Sequence, residues 1–307
     1  MKIRVGTRGS RLSIIQTMEV VDKLKSEYPE IEYEIRVVKT RGDVDLETPL
    51  YMIPQKGVFE KEIDQALIKG DVDIAVHSMK DYPTETIEGV IIAAVPERKS
   101  PNDVFISKNS MNLQDLPPRS CIGTSSLRRE AFIKYVRNDL EVVPIRGNVD
   151  TRLRRMLSGE VDGLVIAEAG IQRLKENIKY TRLPIEDFTP PAGQGALAVV
   201  VRRDNYNLRE ILLKLNDYDS YMETMIERRI VSMLRAGCKT PLGVNAEIDR
   251  NEVKITISTV SVNYREKITI QEYFNLDNIE ETVSKIVQVF REKGGEKIIG
   301  EWRGRLG

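Results

Sequence analysis

Hydrophobic and polar positions along this chain fall into two recurring patterns. Short apolar runs, each closed by a polar cluster, appear at residues 3–7, 33–38, 74–76, 90–95, 121–124, 141–145, 163–167 and 196–201. Runs of that length, bounded by Gly, Pro or charged residues, predict strands. Between them lie segments suited to helices. One starts from an N-cap at Ser10 and runs to about Tyr28, with Leu12, Ile15, Val20 and Leu24 on a face. Others cover 58–69, Ser125/Ser126 to about Arg137, 149–157, a short piece carrying Arg173, 207–216, and 220–236 closed by Gly237. Strand–helix alternation predicts a mostly parallel sheet in an α/β fold. Residues 43–57 carry no period and include Pro49, Pro54 and Gly57, which suits a lid or binding loop.

The alternation breaks twice, at residues 96–101 and 190–195. Two breaks between similar α/β blocks predict that the chain crosses into a second domain and returns. On this division residues 1–97 and 196–216 form domain 1, 98–195 domain 2 and 217–307 domain 3. The third part differs in kind. Val253, Ile255 and Ile257 alternate with Lys254, Thr256 and Ser258, as in half-buried antiparallel strands. Ile279, Val283, Ile286, Val287 and Phe290 then line one face of a helix that Gly294-Gly295 should end. This is a small α+β domain.

Composition narrows the function. The 307 residues hold 47 Lys+Arg against 47 Asp+Glu, so no bulk charge points to nucleic acid. No apolar run is long enough to span a membrane, and Met1-Lys2-Ile3-Arg4 enters a strand directly without a signal peptide. Two cysteines cannot build a disulfide framework, which predicts a cytoplasmic protein. One histidine and no paired cysteines argue against a metal site. The absence of an evident apolar patch leans to a monomer.

The candidate chemistry sits where strands empty into loops. The apolar run at 74–76 gives way to His77, Ser78, Lys80, Asp81 and then Pro83, which forbids a continued ladder. Lys80 and Asp81 there offer a cation and a carboxylate at a sheet edge where ligands bind; a solvated loop ion pair is the bland alternative. Gly123-Thr124-Ser125-Ser126-Leu127-Arg128-Arg129 places hydroxyls and two arginines at a helix start, where free N–H groups and the dipole favour anions. A Ser-capped helix with exposed arginines explains those residues equally well. Arg146-Gly147-Asn148 repeats the geometry with Arg152 beyond it, and Arg8 and Arg173 add further cases. Several arginines at strand ends of two domains suggest a cleft for a polyanion, with carboxylates favoured over nucleotides because no Walker motif is present. Gly193-Gln194-Gly195 matches a dinucleotide pattern only formally: no strand precedes it and no helix follows, so a hinge is the better reading. Cys121 reads as a small core residue. Cys238, between Arg235 and Lys239, has cations that would lower a thiol pKa, yet its residues alone read first as an incidental exposed thiol.

Eight of these segments, in order, resemble the porphobilinogen deaminase (hydroxymethylbilane synthase) family. They are T-R-G-S (7–10), K-T-R-G-D (39–43), K-G-V-F-E-K-E (56–62), H-S-M-K-D-Y-P (77–83), G-T-S-S-L-R-R (123–129), R-G-N-V-D-T-R-L (146–153), G-Q-G-A-L (193–197) and G-C-K-T-P-L-G (237–243). The resemblance implies two α/β domains like a type II periplasmic binding protein plus a small C-terminal α+β domain. It implies an enzyme that joins four porphobilinogen units head to tail into hydroxymethylbilane, releasing ammonia. The growing chain hangs from a dipyrromethane cofactor, thioether-linked here to Cys238. By the same resemblance Asp81 is catalytic, stabilising a cationic azafulvenium and handling protons. Lys56, Ser78, Lys80, Thr124, Ser125, Ser126, Arg128, Arg129 and Arg146 would bind the cofactor, and Arg8, Ser10, Arg152, Arg173 and Gln194 the substrate. Departures are Pro54-Gln55 for the usual Gly-Gly, Ala236 for Gly, and Tyr82 where a small aliphatic is common. A competing class is a non-catalytic, two-lobed anion-binding protein, in which Asp81 and Cys238 would have no role.

Overall fold

The computed structural model describes residues 1–40, 60–237 and 240–306. Lys56, Cys238, the 43–57 loop and the first two residues of the helix expected at 58–69 lie outside them. The described residues form two compact units, 1–40, 60–99 and 195–222 in one, and 100–194, 223–237 and 240–306 in the other.

The strands in chain order are β1 (Lys2–Thr7), β2 (Glu32–Val37), β3 (Ile74–Ser78), β4 (Val90–Ala94), β5 (Asp103–Ser107), β6 (Cys121–Gly123), β7 (Glu141–Val143), β8 (Gly163–Ala167), β9 (Thr181–Arg182), β10 (Leu197–Arg202), β11 (Leu242–Asp249), β12 (Glu252–Val260) and β13 (Lys267–Asn275). The α-helices are α1 (Arg11–Glu27), α2 (Lys61–Lys69), α3 (Leu127–Val136), α4 (Val149–Leu157), α5 (Glu168–Leu174), α6 (Tyr206–Leu213), α7 (Tyr218–Met233), α8 (Ile279–Glu292) and α9 (Gly295–Leu306).

The first unit holds a sheet in the order β2-β1-β3-β10-β4. β1 runs parallel to β2 and β3, while β10 is antiparallel to both β3 and β4. β10 is the strand expected at 196–201. Its insertion makes the sheet mixed where the strand–helix alternation implied a mostly parallel one. β3 is central, so Ile74, Ala75, Val76 and His77 are all buried. That explains its continuous apolar run. Ser10 caps α1 as expected, its hydroxyl accepting from the Ser13 N–H at 3.2 Å. Val5, Leu24, Ile74, Val76 and Val199 pack together beneath the sheet.

The second unit contains the sheet β7-β6-β8-β5-β9. β6 is parallel to β7 and β8, and β5 is antiparallel to β8 and β9. β5 and β9 were not expected from the sequence. β5 follows the Pro-rich break so closely that Val104-Phe105-Ile106 is masked by it, and β9 has only two residues. The same unit holds the antiparallel meander β11-β12-β13. One of its faces is covered by Ile226 and Ile230 of α7, Val283, Ile286 and Phe290 of α8, and Ile299 of α9. The fold class expected from the sequence, two α/β domains with a small C-terminal α+β part, is the one observed.

One helix end differs from expectation. α7 stops at Met233 rather than running to 236. Arg235 adopts φ 49°, and the amides of Arg235 and Ala236 return to the carbonyls of Ser232 and Val231. That is a Schellman closure with a left-handed Arg in the place where Gly237 was expected to act. Arg303 Nη2 donates to the carbonyls of Leu234 and Arg235 and holds the turn. Gly294 closes α8 as expected: the helix stops at Glu292, and Gly294 takes φ 90° with its N–H returning to the Arg291 carbonyl; α9 then starts at Gly295 and buries Trp302, whose Nε1 donates to the Val260 carbonyl at 2.8 Å.

Candidate active site

In the first unit, β3 leaves the sheet through a tight turn. The Met79 N–H donates to the Ala196 carbonyl, Asp81 N–H to Ser78 O and Tyr82 N–H to Met79 O. Met79 and Tyr82 are buried at 1% and 3% exposure, Lys80 is half-buried and Asp81 is exposed. The two inward side chains therefore fix the turn, and the chemistry-bearing pair points away from the core. Ser78 is the last residue of β3, paired in register with Leu197. β1 and β3 are parallel, with Val5 opposite Ile74, so the segment carrying Arg8 and Ser10 leaves the same carboxyl edge of the sheet. Ser10 is already engaged as the α1 cap and also bonds the Ser13 hydroxyl at 2.7 Å.

In the second unit the same rule places a second set. β6, β7 and β8 are mutually aligned, and their carboxyl ends lead to 124–126, to Arg146 and to the helix bearing Arg173. Ser126 caps α3 through the Arg129 N–H, and the Ser125 hydroxyl donates to the Ile145 carbonyl at 2.6 Å. Thr124 is buried, and its hydroxyl accepts from the Ser126 N–H. Gly147 takes φ 103°, a left-handed turn that a side chain would strain, and Arg152 Nε donates to its carbonyl at 2.8 Å. Arg173 is buried at 5% exposure.

Arg128 and Arg129 are not the exposed arginines that the capped-helix alternative supposed. Both are buried and both pair with Asp103, the first residue of β5, which the sequence analysis missed. Arg128 Nη2 donates to Asp103 Oδ2 at 2.6 Å and Nη1 to the Thr189 carbonyl at 2.8 Å. Arg129 reaches Asp103 Oδ1 through Nε and Nη2. Burial alone would raise the Asp103 carboxyl, but the two guanidinium charges and their hydrogen bonds hold it well below the usual carboxylate range. Burial pulls the Arg128 guanidinium below its ordinary value, against the support of Asp103. Two cations share one anion, so the start of α3 keeps an excess positive charge.

Gln194 belongs to the same network. Its side chain is fully buried, Nε2 donates to the Pro101 carbonyl and to Asp103 Oδ1, and Oε1 accepts from Arg129. Both ends of the amide are thus bonded inside the protein. A charged residue opening an apolar run at 103–106 was the one signal that could have revealed Asp103.

Arg146 is the contrasting case. Its Nε and Nη2 are shut off from solvent with no hydrogen-bond partner among the described residues. A desolvated guanidinium with unpaired N–H groups is costly unless an anion completes it. A carboxylate, planar and bidentate, fits that need. The acetate and propionate groups of a dipyrromethane therefore suit the residues present.

Cys121, expected in the core, is half-buried at the start of β6. Burial, with Asp162, Glu141 and Glu160 nearby, pushes its thiol up and disfavours the thiolate. The Cys238 loop is bracketed by Gly237, whose N–H donates to the Thr240 hydroxyl and whose carbonyl accepts from it. Among the described residues no His, Cys, Asp and Glu are grouped to hold a metal ion, and no described helix is long and apolar enough to cross a membrane.

The chain is similar to known proteins over nearly its whole length. Residues 3–210 match the family described as "Porphobilinogen deaminase, dipyromethane cofactor binding domain", and 221–290 match "Porphobilinogen deaminase, C-terminal domain". A "Probable porphobilinogen deaminase" of Nitrosopumilus maritimus is 40% identical over 306 residues, covering 100% of this chain and 98% of the relative. The "Porphobilinogen deaminase" of Natranaerobius thermophilus is 41% identical over 308 residues, covering 98% and 99%. Among solved structures, the methionine-binding protein MetQ aligns at a TM-score of 0.43 and 14% identity over 72% of this chain and 92% of that one.

Proposed function

Because the chain belongs to the porphobilinogen deaminase family, we propose how its strand ends divide the work of that reaction. The enzyme is a transferase of tetrapyrrole biosynthesis that joins four porphobilinogen molecules into hydroxymethylbilane and releases ammonia. When bound through a thioether to Cys238, the dipyrromethane supplies the pyrrole carbon at which the chain grows.

The observation that carries the residue assignments is Arg146, whose Nε and Nη2 are shut off from solvent and have no hydrogen-bond partner among the described residues. With Arg128, Arg129, Thr124, Ser125, Ser126, Ser78, Lys80 and Lys56 it receives the carboxylates of the cofactor. Arg8, Ser10, Arg152 and Arg173 receive those of the incoming and added units. Gln194 acts by orienting Arg129. Asp81 is the catalytic residue: its exposed carboxyl meets the pyrrole N–H groups. The acid form gives a proton to the leaving amine. The carboxylate then faces the positive charge left on the substrate and takes the α-proton released as the new carbon–carbon bond forms. On this reading 1–97 with 196–216 carries Asp81, 98–195 carries the arginine and hydroxyl sites, and 217–307 carries the cofactor-bearing Cys238. The enzyme works as a cytosolic monomer without metal or nucleic acid.

The test is the intact mass of the purified protein beside Cys238→Ser and Asp81→Asn. The parent and Asp81→Asn should carry an excess equal to two linked pyrrole units, and Cys238→Ser should not. Asp81→Asn should lose turnover while keeping the adduct. Near-parental turnover in that variant would remove Asp81 from the catalytic role. An adduct surviving in Cys238→Ser would move the attachment elsewhere.

A further inference from the structure

The turn that presents Lys80 and Asp81 is fastened at both ends to one buried carboxylate. Asp64 lies on α2 at 3% exposure. Its Oδ1 lies 3.2 Å from His77 Nε2, and its Oδ2 accepts from the Tyr82 hydroxyl at 3.0 Å. His77 directly precedes Ser78, and Tyr82 directly follows Asp81. Both rings are buried at 5% and 3% exposure and stack with centroids 4.8 Å apart and planes 25° apart. An ionised carboxylate only accepts hydrogen bonds, so in that state His77 bonds it with a proton on Nε2.

β3 already has its ladder bonds to β1 and β10, so the sheet does not need this anchor. A carboxylate buried beside Ile63 and Leu67 is unfavourable unless its lone pairs are used. Here they are used on the two residues that flank the segment 78–81, which holds Lys80 and Asp81. We propose that Asp64 is a positioning residue, which through His77 and Tyr82 sets the direction of the Asp81 carboxylate. The proposal rests on the assignment of Asp81 as catalytic. Displacement of a reacting group by a fraction of an ångström to an ångström is enough to slow a reaction severalfold or more.

The test uses cofactor-loaded enzyme, with loading verified by intact mass. Tyr82→Phe keeps the ring stack and removes the hydroxyl that bonds Asp64; Asp64→Asn keeps the shape and replaces one carboxylate oxygen by an amide nitrogen; the double variant closes the cycle. Each should lower kcat about fivefold or more with KM within about twofold. The double should lose less than the product of the singles, since the two residues act as a unit. Hydrogen exchange of the Asp81 and Tyr82 amides should speed up in Tyr82→Phe, with exchange in β3 unchanged. Asp64→Glu, which keeps the acceptor, should restore most of the rate. The idea is overturned if Tyr82→Phe has parental kcat and parental exchange, or if melting temperature falls while kcat per loaded molecule does not. Asp81→Asn is assayed in parallel. If it retains turnover, the catalytic assignment fails, while the exchange data still decide whether Asp64 holds the turn.

Discussion

Asp103→Asn probes the network behind the arginine sites. Asp103 is fully buried and accepts from Arg128 Nη2, Arg129 Nε and Nη2, and Gln194 Nε2 at 2.6, 3.1, 2.7 and 2.9 Å. The Asn variant is nearly isosteric, so packing changes little. What changes is charge: two buried guanidiniums lose the anion they share among the described residues, and an amide N–H₂ now faces donors. Removing one partner of a buried ion pair costs about 3–5 kcal/mol. That is a large part of the roughly 5–15 kcal/mol that holds a typical domain folded. At roughly 2–4 °C per kcal/mol for a domain of 150–250 residues, the melting temperature should fall by about 6–20 °C. Calorimetry on parent and variant reads this directly, following the transition of the unit that contains β5. The pH dependence supplies a second check. Asp103 has a lowered folded pKa, so its contribution is present above the ordinary carboxylate range and is lost only as pH falls through the folded value, in strong acid. The gap between parent and variant should therefore stay constant from pH 8 to pH 5. As a contrast, Glu160→Gln breaks the exposed Arg155–Glu160 pair and should not measurably change the melting temperature. A deficit below about 1 kcal/mol for Asp103→Asn, or one that vanishes by pH 5, would refute the view that Asp103 holds the two arginines as an obligatory anion.

Two further outcomes follow from the same geometry. Arg146→Met, close in length but uncharged, should raise KM for porphobilinogen at least tenfold and slow cofactor assembly without lowering the melting temperature, because the Nε and Nη2 groups that it removes have no partner among the described residues; an unchanged KM and assembly rate would take Arg146 out of the binding set. Gly243→Ala should destabilise by several kcal/mol, since a Cβ there would lie 2.3 Å from the Thr189 carbonyl oxygen, which also accepts from Arg128; a melt of the purified variant within about 1 °C of the parent would show that the close approach relaxes freely.

Most elements were legible in the sequence because local physics suffices for them. Ser10 and Ser126 cap helices as their side chains dictate, and the apolar runs at 74–76 and 163–167 are strands buried in sheet interiors. The strand ends carrying Asp81, Arg146 and Ser125 were legible for the same reason: a polar cluster after an apolar run must leave the sheet. The sequence also determined the family, through eight ordered motifs. Tertiary structure alone decided what those side chains do with one another. Arg128 and Arg146 look alike as arginines at strand-to-helix junctions, yet one is paired with Asp103, 25 residues earlier in the chain, and the other has two buried nitrogens with no partner among the described residues. Asp64 is an unremarked helix residue until the fold brings His77 and Tyr82 to its two oxygens, 13 and 18 residues away. Helix and strand periods report which way a side chain points relative to its own backbone. Ion pairing and desolvation depend on partners from other elements, and only the packed chain brings those partners within a few ångströms.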